Sequence, residues 1–428
     1  MEVKILPSSL HGIIDAPASK SFTQRACAAA LITHGTSVID LAGHSNDEKA
    51  AINIIRKLGA TVETDGRVIR VVSNDHIYKY RDTRRSLVIN CGESGLSTRM
   101  FAPIVSLFNF DITLKGEGSI VKRPMDFFEK YLPRLGVEVS SNGGRLPITF
   151  RGPLNPKNIT VSGELSSQFL TGLLFAYAKA ATKPVSIKVK DLKSKPYIDL
   201  TVSVLNHFGF NVTNANYESF QILPQKESPL NAIHYTVEGD WSNAAFLLVA
   251  GVLSGHVTLR GMNTESLQGD KEILKALYLA GGDIKISRKQ IIAQKSKLKP
   301  FDFDATQCPD LFPPLVALAA YCNGTSTITG VLRLLHKESN RAIALRDEFG
   351  KMNVPIEING DFMKVRGGMQ VKGAKVNSHH DHRIAMACAV AALAAKGQTI
   401  ISGAEAVAKS YPDFYHDIKK AGANCSGF

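Results

Sequence analysis

The 428-residue chain is too long for one ordinary hydrophobic core, and it is long enough for two domains of about 200 residues each. Hydrophobic residues make up 44% and charged residues 21%, which excludes a disordered chain. The net charge of +13 calls for anionic partners, without deciding between nucleic acid, a membrane surface and a small phosphorylated substrate. Met1 to Gly12 has no long apolar run behind a basic start, so no signal peptide is expected. Apolar runs such as Ala385 to Ala395 stop short of the roughly 18 residues that a membrane span needs. Cys27, Cys91, Cys308, Cys322, Cys388 and Cys425 are scattered, which suits reduced thiols in a cytoplasmic protein. Around His379, His380 and His382 no cysteine or carboxylate stands at zinc-site spacing, and no metal site is expected.

Along the chain one pattern recurs. Small polar or charged residues precede an apolar helical run, then a turn and a β-rich stretch follow. The copies begin near Ser21, Ser94, Ser166, Ser242, Asp310 and Asp381, at intervals of 68 to 76 residues. The β stretches are Thr36–Leu41, Asp111–Lys115, Pro184–Lys190, His256–Gly261, Thr325–Gly330 and Thr399–Gly403, each alternating as a half-buried strand does. Interleaved with these, an amphipathic helix closes on Gly59, Gly136, Gly209, Gly282, Gly350 and Gly422, and a strand follows at once. Glycine just past a helix end supplies the left-handed conformation that closes it. The expectation is six strand–helix–strand–helix–strand modules in two groups of three, with the break near Tyr235 to Asp240.

The first helix of each module opens on the residues most able to do chemistry. These are Ser19-Lys20-Ser21 with Arg25, Glu93-Ser94-Gly95 with Arg99, Ser166-Ser167-Gln168, Asp240-Trp241-Ser242-Asn243, Pro309-Asp310 and Asp381-His382-Arg383. Serine and aspartate there are ordinary caps. Capping does not call for Lys20, Arg25, Gln168 or Arg383 beside them, whereas free backbone N–H groups at helix starts do suit anions. Six such starts converging would make a strongly positive cleft. Acidic Asp310 and Glu338 in the same constellation point to proton transfer or hydroxyl binding.

These residues resemble the 5-enolpyruvylshikimate-3-phosphate (EPSP) synthase family over essentially the whole chain. The matching stretches are Ala16 to Ser21 with Arg25, Cys91 to Gly95 with Arg99, Lys122 to Met125, Gly163 to Leu170, Ser194 to Asp199, Pro309-Asp310, Lys337 to Arg341, Asp381 to Met386 and Ala408 to Asp413. The resemblance implies an α/β fold of two similar lobes, each of three βαβαββ repeats, with helix N-termini facing an interlobe cleft. Residues 19–237 would form the N-terminal lobe, and 1–18 with 238–428 the C-terminal lobe.

It also implies transfer of the enolpyruvyl group of phosphoenolpyruvate to the 5-hydroxyl of shikimate 3-phosphate, with a non-covalent tetrahedral adduct and no cofactor or metal. Shikimate 3-phosphate would be held by Lys20, Ser21, Arg25, Ser166, Ser167, Gln168, Ser194, Tyr197, Asp310 and Lys337. Phosphoenolpyruvate would be held by Lys20, Gly95, Arg123, Gln168, Arg341, Arg383 and Lys409, arginines suiting carboxylate and phosphate bidentately. Asp310 would take the hydroxyl proton; Glu338, Lys20 and His382 are the further catalytic candidates. Cations around Asp310 and Glu338 should lower both carboxyl pKa values. The expected partners are these small anions only, with no nucleic acid or membrane, acting on a monomer.

Glu93, Leu96 and Arg333 depart from the commonest family pattern, and the missing hydroxyl at Leu96 removes one expected substrate contact. Retained Gly95 is the small residue that admits glyphosate, an inhibitor of the family. A related transferase acting on UDP-N-acetylglucosamine shares the fold, but typically has Lys-Asn in place of Lys20-Ser21 and a reactive cysteine within 116–123, where this chain has none. An RNA-binding protein of similar repeats fits the charge, but aromatics are only 7% and are not interleaved with Lys and Arg.

Overall fold

The computed structural model describes residues 1–74, 86–225, 231–335 and 337–428. The chain divides into two compact units, Ala18–Val237 and Met1–Pro17 with Glu238–Phe428. The first unit carries helices α1 (Lys20–Ile32), α2 (Asn46–Lys57), α3 (Gly95–Val105), α4 (Asp126–Tyr131), α5 (Ser167–Ala180) and α6 (Pro196–His207). The second carries α7 (Trp241–Ser254), α8 (Ile273–Leu279), α9 (Phe312–Ala319), α10 (Arg341–Lys351), α11 (His382–Ala392) and α12 (Phe414–Lys420).

Among the described residues six four-stranded sheets accompany them, and all share one order. In the third, Ile159–Ser162 runs parallel to Val185–Lys190 across α5. Val185–Lys190 then pairs antiparallel with Ser219–Leu223, which pairs antiparallel with Asn211–Ala215. Each module is therefore βαβαββ, one strand more than the strand–helix–strand–helix–strand unit expected from the repeat. The additional strand is the second of the closing hairpin, and it is the opening strand of the first module that comes from elsewhere in the chain. Ile233–Thr236 pairs parallel with Gly35–Asp40 and closes the first unit. In the second unit His11–Asp15 pairs parallel with His256–Arg260. Glu2–Leu6 lies between Thr399–Ser402 and Asn424–Ser426.

The helices alternate in character. In α3, α9 and α11 every residue is buried, and α1, α5 and α7 are buried except near their ends. Helices apolar all round belong inside a core. In each unit the three of them pack against one another. α2 instead buries one face through Ala51, Ile52, Ile54 and Ile55 and leaves Arg56 and Lys57 exposed. The second helix of each module ends on a left-handed residue as expected. Two of the six differ from the sequence reading: the left-handed residues are Gly281 and Asn353 rather than Gly282 and Gly350, because α8 stops one residue early and α10 runs through Gly350 to Lys351. Among the described residues no helix is long and apolar enough to cross a membrane.

Close packing of the interior helices rests on small residues. A Cβ on Gly172 of α5 would stand 2.7 Å from the carbonyl oxygens of Arg99 and Met100 and 2.8 Å from Pro103 Cδ, all in α3. Backbone atoms there have no room to retreat. Gly172→Ala should therefore destabilise the protein by about 1–3 kcal/mol, despite the helix-propensity gain of about 1 kcal/mol that alanine brings. Urea unfolding of the two proteins checks this, and a stabilised variant would contradict the packing.

Candidate active site

In the unit Ala18–Val237 the starts of α1, α3, α5 and α6 are tied side chain to side chain. Gln24 Oε1 accepts from the hydroxyls of Ser94 (3.0 Å) and Ser97 (2.8 Å), joining α1 to the cap of α3. Arg99 donates to Gln168 Oε1 at 2.9 Å, joining α3 to α5. That bond commits the oxygen of Gln168, so its NH2 is the group left to donate. Arg25 is 1% exposed. It donates to Thr201 Oγ1 (3.0 Å), Ser21 O (3.0 Å) and Tyr197 O (3.1 Å), joining α1 to α6. Burial pushes the guanidinium down to about 10, so it is charged at neutral pH with neutral oxygens as these partners.

Around this frame lie the other residues expected from the sequence. Lys20 heads α1 and pairs with Asp47 Oδ2 at 2.9 Å. Ser166 caps α5 by accepting from Gln168 N, and Ser167 is buried in the first turn. Ser194 is buried with φ of 56°, a strained value for a non-glycine residue, and its carbonyl accepts from Tyr197 N. Gly95 opens α3, and a Cβ there would come within 2.9 Å of Arg123 NH1. The missing side chain lets that guanidinium lie against the helix start. Glu93, one of the departures, sets its carboxylate against Gly118 in the same loop as Arg123. Leu96 is buried in α3, and Arg333 is half-buried in a single 3₁₀ turn, Val331–Leu334.

In the other unit the starts of α9, α10 and α11 meet at one buried guanidinium. Arg341, with 0% exposure, donates through Nε to Asp381 Oδ2 (2.9 Å), through NH1 to Asp310 Oδ1 (2.9 Å) and through NH2 to Glu338 Oε2 (2.6 Å). Lys337 reaches Asp310 Oδ1 at 3.0 Å, and Arg383 reaches Oδ2 at 3.1 Å. Asp381 also caps α11 through Arg383 N and accepts from Ser339 Oγ. His382 is 1% exposed, with Nδ1 3.8 Å from Asp381 Oδ1. Lys409 is buried at the end of a 3₁₀ turn, beside Ser410, whose carbonyl accepts from Asn243 of α7 at 3.3 Å.

The three helix starts of this unit do not by themselves make a positive cluster. The cations Lys337, Arg341 and Arg383 are matched by Asp310, Glu338 and Asp381, so within the cluster the charges balance. Burial works to raise the Asp310 pKa, but Arg383, Lys337 and Arg341 outweigh it and hold the carboxyl well below its usual value. Burial lowers Lys337, with Asp310 opposing. Burial works against the charge of Arg341, which Asp381, Glu338 and Asp310 hold up. The sequence reading left Asp47, Gln24, Thr201 and Asp381 out of the site. Asp47 sits in a capping box from Ser45 to Glu48, an ordinary helix start that gives no sign of a distant lysine. Asp381 likewise reads as a cap.

A family model described as EPSP synthase (3-phosphoshikimate 1-carboxyvinyltransferase) matches residues 6–418. A 3-phosphoshikimate 1-carboxyvinyltransferase of Clostridium novyi (strain NT) is 36% identical over 429 residues, covering 98% of this chain and 97% of that one. Among solved structures, EPSP synthase from Acinetobacter baumannii matches with a TM-score of 0.83 at 24% identity, covering 100% of each chain. The enolpyruvyl transferase NikO from Streptomyces tendae matches with a TM-score of 0.78 at 18% identity, covering 99% of this chain and 98% of that one. The six-module architecture is thus the fold of enolpyruvyl transferases. Within that class, the full-length sequence match is the finer evidence: the chain belongs to the EPSP synthase family.

The depressed Asp310 pKa has a signed consequence. A carboxyl held below its unfolded value contributes stability that is present above about pH 4 and lost as pH falls through the folded value. The stability gap between wild type and Asp310→Asn should therefore be widest near neutrality and narrow below about pH 4. Urea midpoints measured across that range test it; a gap independent of pH would contradict the assignment.

Proposed function

We propose that this chain transfers the enolpyruvyl group of phosphoenolpyruvate to the 5-hydroxyl of shikimate 3-phosphate and releases phosphate, a step of aromatic amino-acid biosynthesis. The observation that carries the reading is the family match over 6–418 together with the Asp310 carboxylate held between Lys337, Arg341 and Arg383. An ionised carboxylate among donors suits both a ring hydroxyl and the removal of its proton.

In this reading Asp310 takes the 5-hydroxyl proton as that oxygen bonds to the central carbon of phosphoenolpyruvate. The methylene carbon gains a proton, giving a tetrahedral adduct. The methyl group then loses a proton as the carbon–oxygen bond to phosphate breaks. Lys20, Ser21, Arg25, Ser166, Ser167, Gln168, Ser194, Tyr197, Asp310 and Lys337 hold shikimate 3-phosphate. Arg25 acts there partly by fixing Ser21 and Tyr197, whose carbonyls it binds. Lys20, Gly95, Arg123, Gln168, Arg341, Arg383 and Lys409 hold phosphoenolpyruvate.

Because each nitrogen of Arg341 already meets a carboxylate, an arriving carboxylate binds it by exchange. Asp381 is 0% exposed, and Asp310, though 20% exposed, is also held by Lys337 and Arg383, so Glu338, at 16%, is the partner to be displaced. Displacement frees Glu338 for the methylene proton, with Lys20 serving the phosphate and His382 the remaining candidate. The substrates are small anions, and the working form is a cytoplasmic monomer.

Transfer to UDP-N-acetylglucosamine is disfavoured. Ser21 follows Lys20, residues 116–123 contain no cysteine, and Cys91 is fully buried with its thiol pushed up to about 12 by burial.

Purified protein given phosphoenolpyruvate should release phosphate only when shikimate 3-phosphate is present, and not with UDP-N-acetylglucosamine. Release with the nucleotide sugar alone would overturn the acceptor. Lys20→Met should lower turnover by about 10²–10³-fold with the fold intact by circular dichroism. Turnover within tenfold of wild type would remove Lys20 from the reaction.

A further inference from the structure

One buried carboxylate in the unit Met1–Pro17 with Glu238–Phe428 has no part in that chemistry. Glu348 lies two turns along α10 from Arg341, and its side chain is 2% exposed. It accepts from His379 Nε2 (2.7 Å), Lys351 Nζ (2.7 Å) and the backbone N–H of Asn377 (2.9 Å). His379 and His380 both lie in the left-handed region, with φ of 53° and 55°. Consecutive non-glycine residues keep that conformation only where their surroundings over-determine it.

The surroundings do so here. His379 N–H donates to Asn377 Oδ1 (2.7 Å), His380 N–H to Ser378 Oγ (3.2 Å) and Asp381 N–H to Ser378 O (2.9 Å). Ser378 Oγ in turn donates to Gly403 O at 2.8 Å. The turn runs straight into Asp381, which caps α11 and holds Arg341. A ring closes: Arg341 to Asp381, Asp381 through the turn to Glu348, and Glu348 along α10 back to Arg341. A carboxylate serving only Lys351, whose side chain is 47% exposed, would need neither burial nor a grip on the backbone of the turn.

We infer that Glu348 is a positioning residue that, through His379 and Asn377, fixes the turn aiming Asp381 and Arg383 at Arg341 and Asp310. Its kinetic consequence rests on the proposed reaction; its geometric consequence does not.

Two variants test it. Glu348→Gln keeps the volume and removes the charge. His379→Gly removes the imidazole while placing at φ of 53° the residue that adopts it most readily. In both, amide exchange at Asp381 and Arg383 should quicken about tenfold, with Ala387 to Ala392 unchanged. The KM for phosphoenolpyruvate should rise about fivefold or more, with kcat moving less. The melting temperature of His379→Gly should fall only slightly, relief of strain at φ of 53° offsetting part of the lost bond to Glu348. Wild-type exchange at Asp381 and Arg383 in both variants would overturn the inference. So would losses of activity that only track losses of melting temperature. If wild type itself releases no phosphate, the functional reading fails, and the exchange measurement still decides the positioning role.

Discussion

A guanidinium with no exposed surface holds three carboxylates from three helix starts: Asp310 before α9, Glu338 before α10 and Asp381 at the cap of α11. Three carboxylates this close repel one another, and a buried arginine without anions is far from its solvation minimum. Each side of the arrangement makes the other tenable. Those three starts therefore share one anchor. Removing it would leave carboxylates half-buried or buried with less than their compensating charge, a loss larger than that of a solvated surface pair. Such a cluster contributes little net stability compared with an apolar core of equal volume. What it contributes is a particular disposition of charge.

The two units solve the problem of buried charge differently. Arg25, in Ala18–Val237, is satisfied by a hydroxyl and two carbonyls, so its positive charge is hydrogen-bonded without being cancelled by these partners. Such a charge acts on any anion that arrives. Around Asp310 the cations are matched by carboxylates. A base must be ionised, and it must be surrounded by donors that keep it so. In the proposed reaction, binding a phosphate ester and moving a proton would call for these two opposite arrangements.

The repeat made most of the fold legible before any coordinates. Helix starts at Ser19, Ser94, Ser166, Asp240 and Asp381 coincide with the observed caps, because the apolar runs that follow are unmistakable and the side chains of all but Ser19 bond the first free amides of their helices. The exchange of Ile233–Thr236 into the first sheet was not legible. A four-residue strand carries too little pattern to name a partner almost two hundred residues away. The site residues were legible as types and as matches to a family motif. Their pairings were not: Lys20 with Asp47, Gln24 with Ser94 and Ser97, and Arg341 with Asp381 are long-range, and each partner has an adequate local explanation as a cap or a core amide. The charge balance around Asp310 went unseen for the same reason, since net charge sums a chain and says nothing of who stands beside whom.

Why the chemistry gathers at helix starts follows from the core itself. α3, α9 and α11 are buried along their whole length, so no side of these helices is open to a ligand. Their ends are the positions where a polar side chain can stand without interrupting the apolar packing. Of the two ends, the N-terminal one presents unpaired N–H donors and a positive partial charge, while the C-terminal one presents carbonyls that repel anions. Fully buried helices thus offer polar groups one favourable end each, with loops and 3₁₀ turns placing others such as Arg123 and Lys409. Repeating the module multiplies those ends without altering the core. The cost falls on the residues that must hold the ends in place: a buried Arg25, a buried Arg341, and the two left-handed histidines that lead into Asp381.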